Sequence, residues 1–304
     1  VGATLAGLAL LASLVACSSS DPVPQTESAL GDNTITVSSF DFPESSLLAE
    51  IYSQAIERGG FDVDRLFDVG PRELVLPAMA AGFIEFVPEY LGTALQFLSL
   101  GAAEQTPGPA RTFRDLTSTL VTGPFVALTS APAQDSNAFY VTRETAEREG
   151  LRTLSDVAAV ADRFTFGGPP ECASRPLCLI GLEDVYGITF DEVIKLDTGG
   201  PVTRQALRDG AIDIALLFTT DPAIDAEGFV ELTDDRALQP PENITPLVRK
   251  EVVERWGQDF VDIVDAVSIN LTTTELRELN ARVSAKPDAV AEIAASWLRE
   301  HVPR

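Results

Sequence analysis

Residues 33–63 read NTITVSSFDFPESSLLAEIYSQAIERGGFDV, and a change of period inside them decides the fold class. NTITVSS alternates apolar and polar positions, as a strand with one buried face does. From Pro43 the spacing becomes helical, with Leu47, Leu48, Ile51 and Ala55 on one face. FDVDRLFDV then reads as a second strand, ELVLPAMAAG as a short helix stopped by glycine, and FIEFVPEY as a third strand leading into the helix LGTALQFLSL. A βαβαβ start of this kind predicts α/β architecture with mainly parallel sheets, whose ligands bind at the carboxyl ends of the strands. SFDFPES, residues 39–45, lies at such an end and places Phe40 and Phe42 on either side of Asp41. The spacing of Asp41 and Glu44 predicts a capping box for the helix. An aromatic wall beside a carboxylate suits a cation.

A second α/β set begins at NAFYVTRETAEREG and continues through FTFGG, ITFDEVIKL, TRQALRDG and the strand IDIALLF. From about Glu231 onward the reading returns to helices: TPLVRKEVVERWG, FVDIVDAVSINL, TTTELRELNARVSA and PDAVAEIAASWLREH.

The formal charge of −24 argues against nucleic-acid binding, which needs basic patches. Its mild field favours cationic solutes. His301, the one histidine among 304 residues, rules out a Ser-His-Asp triad and a histidine metal cluster. No phosphate-cradling or dinucleotide glycine motif is present. No catalytic residues, metal or cofactor are therefore expected, and a binding protein is the expectation.

The first residues, VGATLAGLALLASLVAC, form an apolar run too short to span a bilayer comfortably. Small residues before Cys17 resemble a lipobox, so residues 1–17 are expected to be a lipoprotein signal peptide and Cys17 the lipidated residue. Residues 18–33 read as a flexible tether. Setting Cys17 aside leaves Cys172 and Cys178 as an even pair in an oxidising compartment, where a small loop-closing disulfide is expected.

Six runs, in order along nearly the whole mature chain, carry a resemblance. They are ITVSSFDFPESSLLAEIYSQAIERGGFDV, VPEYLGTAL, DSNAFYVTRETAE, RPLCLIGLEDVYGI, ALRDGAIDIALLFTTDP and LTDDRALQPPENITPLV. Together they resemble the substrate-binding lipoproteins of quaternary-amine ABC transporters, which capture glycine betaine, choline, carnitine or proline betaine. The resemblance implies the type II periplasmic-binding-protein fold, bilobal, with two α/β lobes and the ligand cleft between them. The expected lobes are 34–133 with 235–304, and 134–234, with crossings near Pro132–Gln134 and Thr233–Asp235.

The family's pattern falls on Tyr90 as a cage ring, Thr93 as a hydroxyl contact and Asp135 as the group that helps hold the cation. It falls on Phe218, with Thr219 beside it, where a tyrosine is common, and on Arg175 as partner of a ligand carboxylate. Three positions depart from it: Phe40 where some members carry lysine, and Asn137 and Glu242 where some carry cage tyrosines. In this reading Phe40 faces the solute and Phe42 packs underneath. The departures keep the ammonium class and leave the solute open, with choline gaining on glycine betaine if Glu242 faces the cleft.

The resemblance further implies an ABC permease and its ATPase as partners, a monomer, and an extracytoplasmic location with membrane attachment by lipid only. Another small polar or cationic solute, or a sensor lipoprotein without transport, stands as the alternative.

Overall fold

The structure, a computed structural model, describes residues 34–103 and 108–302; the apolar leader 1–17, Cys17 and the tether 18–33 lie outside the described residues. The chain builds two α/β lobes, each around one five-stranded sheet.

The first lobe opens with β1 (Thr34–Ser38), α1 (Pro43–Arg58), β2 (Asp62–Leu66), α2 (Arg72–Ala80), β3 (Phe86–Tyr90), α3 (Leu91–Leu98), α4 (Pro109–Thr119) and β4 (Phe125–Ala127). Helix α1 buries Leu47, Leu48, Ile51 and Ile56 completely. At about 2 kcal/mol for each such side chain, this face outweighs any intrinsic helix propensity. The expected capping box is absent: Phe42 is the N-cap residue and no side chain caps it. Glu44 is buried and turned toward other elements, while Ser45 Oγ accepts from the Phe40 amide at 2.9 Å and fixes the turn.

The second lobe follows with β5 (Asn137–Thr142), α5 (Arg143–Glu149), α6 (Leu154–Val157), β6 (Thr165–Gly168), α7 (Leu179–Tyr186), β7 (Glu192–Lys195), α8 (Pro201–Arg208), β8 (Ile214–Phe218), α9 (Ala223–Glu227) and β9 (Phe229–Leu232). Along β5, Phe139 and Val141 enter one core cluster while Ala138 and Tyr140 enter another. The sheet is thus covered on both faces, which is why IALLF reads as a continuous apolar run.

The chain then returns to the first sheet as β10 (Ile244–Arg249), followed by α10 (Lys250–Ser268), α11 (Thr273–Ala285) and α12 (Val290–His301). Here the sequence reading needs correction, because ITPLVR is a strand and not the start of a helix. It fills the slot between β3 and β4, antiparallel to both. Likewise β5 lies between β8 and β9, antiparallel to both. The sheet orders are β2-β1-β3-β10-β4 and β7-β6-β8-β5-β9. Both sheets are therefore mixed, with four strands running in one direction and one reversed. In each, the reversed strand is the one with which the chain enters from the other lobe.

The two connections run side by side. Ile244 N donates to Ala133 O at 3.0 Å, Ala131 N to Ile244 O at 2.8 Å, and Asp135 N to Glu242 O at 3.1 Å. On the way back, the Asp234 carboxylate accepts from the Leu238 and Gln239 amides at 2.9 and 2.7 Å and from the Tyr186 hydroxyl. The chain thus stays tied to the second lobe as far as Gln239.

Candidate functional site

A cavity of about 360 Å³ lies against the residues that follow β1, β3 and β8 and against both connections. That volume suits a small solute. The turn after β1 brings Phe40, Asp41 and Phe42 to it, and the junction of β3 with α3 brings Tyr90 and Thr93. The first connection and the start of β5 add Asp135 and Asn137, β8 adds Phe218, the disulfide loop adds Arg175, and the second connection adds Glu242. Thr219 stands behind this wall. Its hydroxyl accepts from the Ser136 amide at 3.0 Å and donates to Asp135 Oδ1 at 3.2 Å.

Phe42 is the hub of the aromatic side. Its ring lies 5.9 Å from Tyr90, 5.2 Å from Phe218 and 6.2 Å from Phe40. Both rings thus line the cavity, whereas Phe42 was expected to pack underneath. Phe40 is 3 % exposed, and the Arg72 guanidinium sits 4.9 Å over its ring, so its face already holds a cation of the protein. Phe42, only partly buried, presents its ring to the cavity.

Beneath the rings lie two buried carboxyls, Glu44 and Asp135. Glu44 accepts from the Tyr90 hydroxyl at 2.8 Å, from Thr220 Oγ1 at 2.5 Å and from Asn280 Nδ2 at 2.5 Å. Asp135 Oδ1 accepts from the Thr220 amide at 3.0 Å, whereas the buried Oδ2 has no N–H or hydroxyl on it among the described residues, and the Asp135 carboxyl is hydrogen-bonded to that of Glu44 through a shared proton. Burial, and then the charge of Glu44, push the Asp135 carboxyl well above the usual aspartate range. Burial also raises Glu44, against the donors Thr220, Asn280 and Tyr90. Two such acids this close resist ionising together. A positive charge in the cavity would relieve both.

The cationic side chains are already engaged. Arg72 gives Nε and Nη2 to the two oxygens of Glu89 at 2.7 and 2.8 Å, a buried bidentate pair. Arg175 does the same with Glu73 at 3.0 and 2.8 Å and lies 3.6 Å from Glu171. Arg175, expected as the partner of a ligand carboxylate, thus lines the cavity already paired with a carboxylate from α2 of the opposite lobe. Glu242 Oε2 accepts from the Gly92 and Thr93 amides at 2.9 and 3.1 Å, and Oε1 accepts from the Thr93 hydroxyl. It therefore caps α3 from the second connection. Burial pushes its carboxyl up to about 7, against the Thr93 donors and the Arg72 charge. Cys172 and Cys178 form a disulfide with Cα atoms 5.3 Å apart, closing the loop that carries Arg175.

Arg72, Glu73, Glu89, Thr220 and Asn280 escaped the sequence reading. One signal was available: Glu89 stands in the apolar strand FVPEY, and a buried acid there calls for a buried base.

The family described as "OpuAC: Substrate binding domain of ABC-type glycine betaine transport system" matches residues 33–300. A glycine-betaine-binding protein of Pseudomonas aeruginosa is 27 % identical over 279 residues, covering 88 % of each chain. The glycine betaine-binding protein YehZ of Escherichia coli is 24 % identical over 268 residues, covering 84 % of this chain and 87 % of its own. Among solved structures, one described as a glycine betaine/carnitine/choline ABC transporter superposes with a TM-score of 0.67 at 21 % identity. It covers 88 % of this chain and 98 % of its own.

Proposed function

Because the chain belongs to the family of substrate-binding domains of ABC-type glycine betaine transport systems, we propose that its cavity holds a quaternary ammonium solute for delivery to an ABC permease and its ATPase. The observation that carries this reading is the set of Tyr90, Phe42 and Phe218 around one cavity, with the carboxyl of Asp135 beside them. A quaternary ammonium offers no N–H, so only apolar shape and negative potential can recognise it. Each aromatic face contributes about 0.5–2 kcal/mol, more as water is excluded. Both arginines on the cavity wall are paired with protein carboxylates, so no unmatched positive charge of the wall opposes a cation.

In this reading the protein performs no covalent chemistry and closes its lobes on the solute. The lobes are 34–133 with 235–304, and 134–234, with residues 235–239 still tied to the second lobe, and they pivot where the two connections pair. The chain works as a monomer outside the cytoplasmic membrane, held there by a lipid on Cys17. Thermal denaturation of the chain from residue 18 onward, with and without choline, glycine betaine and carnitine, tests the solute class. A ligand at about 100 times its Kd adds about 2.7 kcal/mol of stability. No shift with any quaternary amine, alongside a shift with an unrelated polar solute, would overturn the reading.

A further inference from the structure

The ligand expected of such a cavity is whatever completes the groups its wall leaves unmatched. A zwitterion such as glycine betaine brings two charges, and its carboxylate needs amides or an arginine. The amides that open α3 and the adjacent Thr93 hydroxyl all point to Glu242. The two amides are taken whether or not Glu242 carries its proton, because both fall on Oε2, which stays a carbonyl oxygen when the proton sits on Oε1. Both guanidiniums on the wall give two nitrogens each to a carboxylate of the protein, Arg72 to Glu89 and Arg175 to Glu73. What the wall lacks is positive charge. Asp135 Oδ2 meets no N–H or hydroxyl among the described residues, only the carboxyl of Glu44, and no cationic side chain lies on that pair.

Resting on the ammonium reading above, we infer that Glu242 stands in for the carboxylate a solute would otherwise bring, so that the solute is a quaternary ammonium without a carboxylate and with a neutral donor such as a hydroxyl. A betaine tail entering the cavity meets amides already filled by Glu242 and arginines already neutralised. It must either displace a protein carboxylate or lie unpaired beside one, and burial makes the unpaired charge costly. A choline-like cation meets no such conflict. Its charge faces the rings and Asp135, and its hydroxyl can donate to a carboxyl oxygen.

Calorimetric titration of the wild-type chain with choline and with glycine betaine tests the inference directly. Choline is expected to bind at least about tenfold tighter, since a polar group left unpaired in a buried cleft costs at least that factor. Glu242→Ala frees the α3 amides and should move the choline-to-betaine ratio toward betaine by about tenfold. Glu242→Gln keeps an oxygen on the amides and should move it less. If betaine binds the wild type as tightly as choline, the inference fails while the ammonium reading stands. If neither solute nor any other quaternary amine binds, both fail. Should the alanine variant not fold, the wild-type ratio and the glutamine variant still decide. An unchanged ratio in a folded Glu242→Ala protein also overturns the inference.

Discussion

Tyr90 joins the two halves of the site through one side chain, its ring against Phe42 and its hydroxyl on Glu44. Tyr90→Ala removes the face and should weaken binding of a quaternary amine by about tenfold. Tyr90→Phe keeps the face but takes one donor from Glu44, so the Glu44–Asp135 pair holds its proton more tightly. A cation binds the ionised pair best, and the loss in Tyr90→Phe should therefore shrink as pH rises. Calorimetry at two pH values checks this, and a loss that does not change with pH contradicts it.

Glu242 allows a second pH argument. Burial raises its carboxyl from 4.5 to about 7, so the folded chain binds this proton more tightly than the unfolded chain does. The stability it contributes is complete below about pH 4.5 and is lost as pH rises through about 7. The difference corresponds to about 3 kcal/mol. Denaturation of the empty protein across that window should show a decline that Glu242→Gln flattens. The rings of this site were legible as residue types at strand ends, but the role of Glu44 was not. Local spacing made it a cap, whereas its partners Tyr90, Thr220 and Asn280 stand 46, 176 and 236 positions away.

At the scale of elements, the entry to α1 rests on Ser45 and not on the residue whose type suggested a cap. Ser45→Ala removes the acceptor of the Phe40 amide and should lower stability by about 1 kcal/mol in chemical denaturation. Asp41→Ala, at an exposed position with no cap bond, should change it by less than about 0.5 kcal/mol. Equal losses in the two variants would contradict the assignment. Most strands and helices could be read because their periods of two and 3.6 differ and their turns are marked by Gly and Pro. ITPLVR escaped because β10 passes directly into α10 at Arg249 with no turn between them. The longer helical pattern absorbed the strand. Its place between β3 and β4 is a long-range fact, set by a slot that residues 86–90 and 125–127 create. Gly92 shows the same dependence on distant chain. A Cβ there would stand 2.2 Å from Pro240 Cγ, so the start of α3 and the second connection fit only with glycine between them.

At the scale of the whole molecule, Arg175 and Glu73 tie the second lobe to the first across the mouth of the cavity. Their side chains are 24 % and 40 % exposed, which puts the pair among those worth no more than about 1 kcal/mol. Glu73→Gln should accordingly weaken solute binding by less than about fivefold, with a difference from wild type that fades as salt is added. A large, salt-independent loss would mean that Glu73 touches the solute. The paired connections carry a different consequence. Asp135 and Glu242 belong to the two strips of backbone that hydrogen-bond to each other where the chain changes lobes. In a hinged body, points on the axle hardly travel and points on the rim travel furthest. In the proposed closure Asp135 and Glu242 would therefore keep their spacing, like the knuckle of a pair of tongs. The Arg175–Glu73 tips at the jaw would travel the full arc, and their pair would part when the cleft opens.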